Sequence, residues 1–368
     1  MTENDVLGFN PQDLFKQEDE SKSKKYVNPN IYKMKPAESA DEDGIYRATI
    51  KVVYNPFNRT QSFLEQQSYG LNDARGFFEV VSALTLNNEE GKNCPIFKAW
   101  KKCRYSEEGS VLWRQQAKLE EGGKALFDKR QARYCIVQIL EDKNQPDLVG
   151  SFKIWKIPSS IYKLIKQKQD PTDPKKAAIP VMDYLFGRSI DIEVYPGPDD
   201  KANPQRKTRE IDYRGEISED EVSCINPDGS PLLTTDENEI LETYISAMKK
   251  VWKSKDPDER TKLLEEVLSD ENTEKFRTIY ARVLEQIKGW TPDLSSMGYK
   301  EWSPEVKARV QAWIDVVLSG NDPKSVSLDG GNAPKMPEGT ATVNTQTETK
   351  STETSSASVE SGDDDLPF

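Results

Sequence analysis

The first two thirds of the chain alternate apolar and polar residues with a period of two, which is typical of half-buried strands. The clearest case is 48–54, where Ala48, Ile50, Val52 and Tyr54 are the apolar positions. Tyr32 and Met34 are expected in the preceding strand of a hairpin with it. Further strands are predicted over residues 76–86, 134–140, 149–157 and 190–195, with a hairpin partner at 210–213 and a helix over 160–169.

From Thr235 the apolar residues recur at helical spacing instead. Asp236 and Glu239 resemble a capping box at the start of the first helix. Other helical patterns cover 263–268 and 276–287, and Ser303-Pro304 predicts the start of a last helix that runs to Leu318. The aromatic stripes of these helices are expected in a core.

These patterns predict a mainly β core plus an α-helical C-terminal region. Short strands with long polar loops and one helix fit a five-stranded barrel of the OB kind over 30–234, with a flanking subdomain at about 84–128. Residues 235–320 form the helical region, and 1–29 are expected to be a flexible arm. Residues 321–368 hold 9 acidic and 3 basic residues without a core pattern, which predicts a disordered linker and acidic tail.

Charge is unevenly distributed along the chain. The formal net charge is −12, but residues 92–168 hold 17 Lys and Arg against 8 Asp and Glu. That region therefore carries +9 and the remainder −21. A basic island in an acidic chain is the pattern of a phosphate-binding face.

Several classes of site are disfavoured by residues that the sequence lacks. There is no histidine, and Cys94, Cys103, Cys135 and Cys224 contain no CxxC pair. Zinc sites and His-dependent catalytic triads are therefore not expected, and we predict a protein without metal, cofactor or enzymatic activity. The N-terminus has no signal-like apolar run and no apolar segment of 18 residues occurs, so a cytoplasmic protein without membrane contact is expected.

The basic island interleaves cations with aromatic residues, most densely over 129–162. Cations track phosphates and flat rings stack on unpaired bases, so this combination suits single-stranded nucleic acid. The candidate phosphate contacts are Lys101, Lys102, Arg104, Lys129, Arg130, Arg133, Lys153 and Lys156. The candidate stacking residues are Tyr105, Trp113, Tyr134 and Trp155, although core packing is an equal reading for Trp100, Trp113 and Phe152.

Several stretches, in order, resemble the helix-destabilising single-stranded DNA-binding protein of T-even-type tailed phages over roughly residues 30–250. They read NIYKMKP, GIYRATIKVVYNP, GFFEVV, CPIF, KRQARYCIVQILEDKNQPDLVGSFKIW and SIDIEVYPG. The resemblance implies an OB-fold with a flanking subdomain and DNA in the cleft between them, acting in replication, recombination and repair in the host cytoplasm. The family's basic-aromatic motifs fall on Lys129, Arg130 and Tyr134 and on Trp155 and Lys156. Cys135 stands where the family has a further aromatic.

A second departure concerns the family's zinc site, which uses one His and three Cys. Here the matching stretch reads Cys94-Pro95-Ile96-Phe97 and the His is missing. We expect the flanking subdomain to be held by apolar packing, with Phe97 and Trp100, in place of zinc.

The chain closes with a tip that resembles that of bacterial single-stranded DNA-binding proteins. Its residues are Asp363, Asp364, Asp365, Leu366, Pro367 and Phe368. A flexible acidic arm can occupy its own basic groove until DNA displaces it, and then offer its tip to replication and recombination proteins. Self-association along the DNA is a further expected contact.

Two other function classes stay open at this point. The helical region suits a protein-interaction scaffold without DNA binding. A metal-dependent nuclease would use carboxylates such as Asp191 and Glu193, or the adjacent pairs Glu107-Glu108 and Glu120-Glu121, but no P-loop accompanies them. An electrophoretic shift with oligo(dT) and a cleavage assay with divalent metal separate these readings.

Overall fold

The computed structural model describes residues 28–39, 41–107, 110–116, 127–172, 178–197, 199–200, 203–207, 211–254 and 256–324. The chain divides into two units, residues 1–328 and 329–368, and the described residues all belong to the first. The predictions for the acidic tip, and for all but the last two residues of the arm, lie outside the described ranges.

The described part is mixed α/β, with an eight-stranded, mostly antiparallel sheet and several helices. Its strands are β1 Ile31–Tyr32, β2 Tyr46–Val53, β3 Leu64–Asp73, β4 Gly76–Val81, β5 Asp128–Asp142, β6 Phe152–Lys156, β7 Ile190–Pro196, β8 Asp199–Asp200, β9 Asn203–Lys207 and β10 Ile211–Ile217. The main sheet has the order β1-β6-β5-β2-β7-β10, with β3 paired to β5 and β4, whereas β8 and β9 pair only with each other. Within the described ranges no ladder joins β10 to β6 or β1, so this sheet is open.

Strand β5 organises the sheet because its 15 residues take part in three ladders. Residues 128–134 pair with β3, 136–142 pair with β2, and 134–138 pair with β6 on the other edge. Its alternating side chains face different cores: Cys135 lies in a cluster with Ile161, whereas Ile136 lies in a cluster with Ile245. The face of each β5 side chain therefore decides what it can contact.

The helices are α1 Glu89–Lys92, α2 Pro95–Arg104, α3 Val111–Gln116, α4 Ser159–Gln169, α5 Thr235–Lys253, α6 Pro257–Ser269, α7 Glu271–Trp290 and α8 Pro304–Leu318. The predicted start of α8 is confirmed, since Ser303 Oγ accepts a hydrogen bond from the Val306 N–H and proline follows it. The capping box of α5 is Thr234 with Glu237, not Asp236 with Glu239. Thr234 still has an extended backbone, so the helix begins after it and Glu237 becomes the residue that reaches back.

Two strand predictions were wrong, one in its pairing and one in its extent. β1 pairs in parallel with β6, so Tyr32 belongs to no hairpin with β2. The 76–86 pattern ends as a strand at Val81 and continues as a short 3-10 helix, Ala83–Leu86. Strand β3 was missed because the buried polar residues Gln66 and Ser68 interrupt its apolar alternation.

The core consists of three apolar clusters. The first lies between the sheet and α4 and includes Tyr46, Ile50, Trp155 and Ile161. The second lies between the sheet and helices α5 and α7 and includes Ile154, Ile245 and Val283. The third joins β3 and β4 to α2 and α8 and includes Tyr69, Ile96 and Trp313. Of the helices from Thr235 onward, α5, α7 and α8 therefore pack against the sheet, in the second and third clusters. None of the described helices combines the length and apolarity that a membrane crossing requires.

Candidate nucleic-acid interface

The C-terminal end of α2 carries a group of cations around Trp100. Ile96, Ala99 and Cys103 bury one face of this helix, so Lys101, Lys102 and Arg104 remain exposed in its last turn. The Lys129 Nζ lies 4.8 Å from the centroid of the Trp100 ring and the Arg104 guanidinium lies 5.8 Å from it. Burial, together with the charge of Arg104, lowers the pKa of Lys129. Tyr105, at the end of α2, is 72% exposed.

Arg133 continues this surface, since residues four apart on a strand share a face and lie about 13 Å apart. Its guanidinium lies 3.7 Å from the centroid of the Tyr162 ring on α4. Phe63 meets the same ring edge-on, with centroids 4.9 Å apart. Glu65, opposite Arg133 in the β3–β5 ladder, accepts a hydrogen bond from Arg133 Nε at 3.1 Å.

Arg133 also lines a pocket of about 500 Å³, in which a second arginine, Arg59, lies against the ring of Tyr54. The Arg59 guanidinium is 4.0 Å from the centroid of Tyr54 and 3.8 Å from the carboxylate of Asp183. Gln169 donates a hydrogen bond to the Tyr54 hydroxyl at 2.7 Å, and Lys166 is exposed at the rim. We call this whole set of residues the cation–aromatic strip: Trp100, Arg104, Lys129, Arg133, Tyr162, Phe63, Arg59, Tyr54 and Lys166.

Five members of the strip are absent from the residues predicted from the sequence: Tyr54, Arg59, Phe63, Tyr162 and Lys166. The run from 54 to 63 interleaves aromatics with an arginine, but it reads as the end of a strand and a turn. The sequence predicts the helix that carries Lys166, but nothing in the sequence connects its Tyr162 to Arg133. Residues 29 positions apart meet here because β5, β6 and α4 fold back on one another.

Tyr134 and Trp155 do not form one stacking surface in this structure. Tyr134 stands opposite Lys156 and Trp155 stands opposite Cys135, so the two rings lie on different faces of the sheet. Trp155 is only 2% exposed and packs against Tyr213, with ring centroids 6.4 Å apart. Tyr134 is half-buried, donates to Gln66 Oε1 at 3.4 Å, and burial raises its pKa. Both rings thus serve packing in this conformation.

A groove of about 860 Å³ follows the open seam between β6 and β10. Tyr134 and Trp155 both contribute to its lining, although their side chains leave the sheet on opposite faces. Lys156, Tyr213, Lys33 and Lys35 are also among the lining residues. Lys156 is exposed at this groove, whereas the Lys153 Nζ donates to the Pro29 carbonyl at 3.0 Å. The groove therefore brings part of the predicted set together, away from Lys129 and Arg133.

The two remaining predicted residues lie apart from both surfaces. Arg130 is on the opposite face of β5 from Lys129, pairs with Glu79 at 3.1 Å, and has its guanidinium 5.2 Å from the centroid of Phe77. The Phe77 ring is 54% exposed. Trp113 is half-buried on α3.

In the predicted flanking subdomain, Cys94 and Cys103 are packed among apolar side chains of the third cluster. All four cysteines are buried and free, and burial raises the pKa of Cys103 to about 11. Cys94 precedes α2 and its Sγ accepts a hydrogen bond from Ser82 Oγ at 3.2 Å. Phe97 and Trp100 stack with centroids 5.8 Å apart at the margin of the third cluster. In the described part of the chain no three His, Cys, Asp or Glu residues are grouped to hold a metal ion.

Asp191 and Glu193, two of the carboxylates considered for a nuclease, lie on one face of β7, whereas Glu108, Glu120 and Glu121 lie outside the described residues. Asp191 accepts a hydrogen bond from the Thr49 hydroxyl at 2.7 Å, and Glu193 pairs with Arg47 at 3.3 Å. Both are therefore engaged by neighbouring side chains.

Compared with known proteins, the chain matches no family model and no curated protein.

Proposed function

We propose that this protein binds single-stranded DNA without catalysing a reaction, and coats it during replication, recombination and repair. The observation that carries the proposal is the cation–aromatic strip, in which Lys129, Arg133 and Arg59 each lie against an aromatic ring. Rings of this kind stack on bases while the cations neutralise phosphates. An unpaired strand exposes the faces of its bases, whereas a duplex covers them, so the strip favours single strands.

We further propose that the central strands form an OB-type barrel. The order β6-β5-β2-β7-β10 reads 3-2-1-4-5 when these five strands are numbered along the chain, and α4 lies between the third and fourth. This order supports a partly open Greek-key barrel. The rings of Trp155 and Tyr213 meet across the gap between β6 and β10, so side chains would close what the backbone ladders leave open.

The proposed role of the acidic tip and the proposed cell compartment both rest on the resemblance to phage and bacterial single-stranded DNA-binding proteins. We propose that Asp363–Phe368 recruits replication and recombination proteins and competes with DNA for the cations of the strip. The tail over residues 321–368, with 9 acidic and 3 basic residues, would supply the charge for such competition. For a phage protein the site of action would be the host cytoplasm.

Fluorescence anisotropy with a labelled oligo(dT) of about 20 nucleotides tests the proposal, since one OB-type site covers roughly 4–16 nucleotides. Duplex DNA and RNA are titrated in parallel over a range of salt concentrations. The wild-type protein should bind the single strand most tightly. Tyr162→Ala should weaken binding about 5- to 150-fold, which corresponds to one lost stacking contact.

A charge variant with a matched control addresses the phosphate contacts. Lys166→Gln should flatten the dependence of log K on log salt by about 0.7, because one phosphate contact is lost. Lys262→Gln, on α6, makes the same charge change outside the strip and should leave the slope unchanged. An absence of wild-type binding, or equal binding by Tyr162→Ala, would refute the proposed function.

A further inference from the structure

Arg133 is already occupied by an anion that the protein itself supplies. Glu65 stands directly opposite it in the β3–β5 ladder. Both Nε and Nη2 of Arg133 donate to the same Glu65 oxygen, Oε1. The Tyr162 ring lies against the guanidinium at 3.7 Å, so the arginine is held between a ring and a carboxylate.

A phosphate oxygen makes the same kind of charge-assisted bond with a guanidinium as a carboxylate oxygen does. A DNA phosphate that contacts the Nε and Nη2 edge of Arg133 must therefore take the position of Glu65. The Glu65 side chain is 66% exposed, whereas that of Arg133 is 25% exposed. Glu65 can thus turn into solvent while Arg133 stays on its ring.

Asp183, another carboxylate beside the strip, differs in this respect. Asp183, which lies 3.8 Å from Arg59, has a side chain that is only 3% exposed. It accepts hydrogen bonds from the Leu185 N–H and the Tyr280 hydroxyl, at 2.9 Å and 3.0 Å. Asp183 is fixed by the fold and cannot leave its arginine in the way that Glu65 can.

We propose that Glu65 sets the affinity of the interface by competing with DNA phosphate for Arg133. This inference rests on the proposed function. Each binding event breaks the Arg133–Glu65 pair and leaves a carboxylate close to the bound strand. The consequence is binding that is weaker, and less dependent on salt, than the number of cations in the strip implies.

Glu65→Gln tests the competition because it removes the charge and keeps the shape of the side chain. The variant should bind the oligo(dT) probe about two- to five-fold more tightly at low salt, the range that corresponds to the free energy of one exposed ion pair. The salt dependence should steepen by up to about 0.7, since Arg133 then acts as an additional uncompensated cation. The charge-matched control is Glu242→Gln, on the exposed face of α5.

A second background separates competition from positioning. In Arg133→Gln protein, Glu65→Gln should give a smaller gain than in wild type, because the pair no longer exists and only the repulsion between the carboxylate and the bound strand is removed. If Glu65 only holds Arg133 in place, Glu65→Gln weakens binding instead, and the inference is overturned. Equal affinity and slope for Glu65→Gln and wild type also overturn it while leaving the proposed function intact. A wild-type protein that binds no single strand overturns both.

Discussion

Replacing Lys51 with methionine should stabilise the protein at neutral pH and have little effect at alkaline pH. Lys51 is fully buried, and its Nζ donates to the Val222 carbonyl at 2.5 Å. Burial lowers its pKa from 10.5 to about 8, although Cys224 and Asp183 act in the opposite direction. A Cβ on Gly187 would lie 2.5 Å from this Nζ, so glycine leaves the space that the ammonium group occupies.

The sign and size of the effect follow from the difference in pKa between the folded and unfolded states. Below pH 8 both states hold the proton, and the folded state bears the whole cost of the buried charge. Between pH 8 and 10.5 only the unfolded state keeps this proton, so the destabilising contribution of Lys51 shrinks as pH rises. The cost is about 3 kcal/mol at pH 7 and about 1.4 kcal/mol at pH 9.5.

Lys51→Met removes this cost but leaves the Val222 carbonyl without its donor, a loss of about 1 kcal/mol. The expected net stabilisation is therefore about 2 kcal/mol at pH 7, falling close to zero at pH 9.5. Measurements should stop there, because burial raises tyrosine pKa values, that of Tyr213 to about 12. Such groups lower stability once free tyrosine ionises, above about pH 10.

Urea unfolding followed by tryptophan fluorescence, at several pH values from about 7 to 9.5, measures the difference between Lys51→Met and wild type. Lys262→Met, at an exposed position, controls for the loss of a surface charge. A difference that stays constant over this range would show that Lys51 does not titrate there in the folded state. A variant that is less stable at every pH would refute the reasoning about its burial.

Two further predictions concern an ion pair and the acidic tip. Arg309→Met should lower the free energy of unfolding by about 3 kcal/mol, the lower end of the range for breaking a buried ion pair. The fully buried carboxylate of Asp73 loses its contacts with Arg309 at 2.7 and 2.8 Å. It keeps the Arg75 N–H at 2.9 Å and the more distant Arg75 guanidinium at 3.7 Å. Adding Asp73→Asn should restore part of that loss in urea unfolding, and an Arg309→Met protein as stable as wild type would contradict the argument. Deleting Gly362–Phe368 should tighten binding to single-stranded DNA, most at low salt, because a competing polyanion is removed. Unchanged or weaker low-salt binding in the anisotropy assay would rule out competition by the tip.

The candidate interface was predictable from the sequence as a region, but not residue by residue. The basic, aromatic-rich segment predicts Lys129, Arg133 and the end of α2 as candidate residues, because charge and composition are visible locally. The choice of Tyr134 and Trp155 as partner rings was not supported by the geometry. It assumed that neighbouring residues on paired strands share a surface, whereas their register places these two rings on opposite faces of the sheet.

The sequence by itself determined the positions of several strands and helices, since periods of two and 3.6 are properties of neighbouring residues. It located β2, β7 and α4 closely, and it located the cap of α8 because Ser303 and Pro304 act within one turn. Only the tertiary structure decided that Arg133 meets Tyr162 and Glu65, and that Arg59 meets Tyr54 beside them. Strand register is set by contacts across the whole core, and a slip of one residue would turn each side chain to the other face.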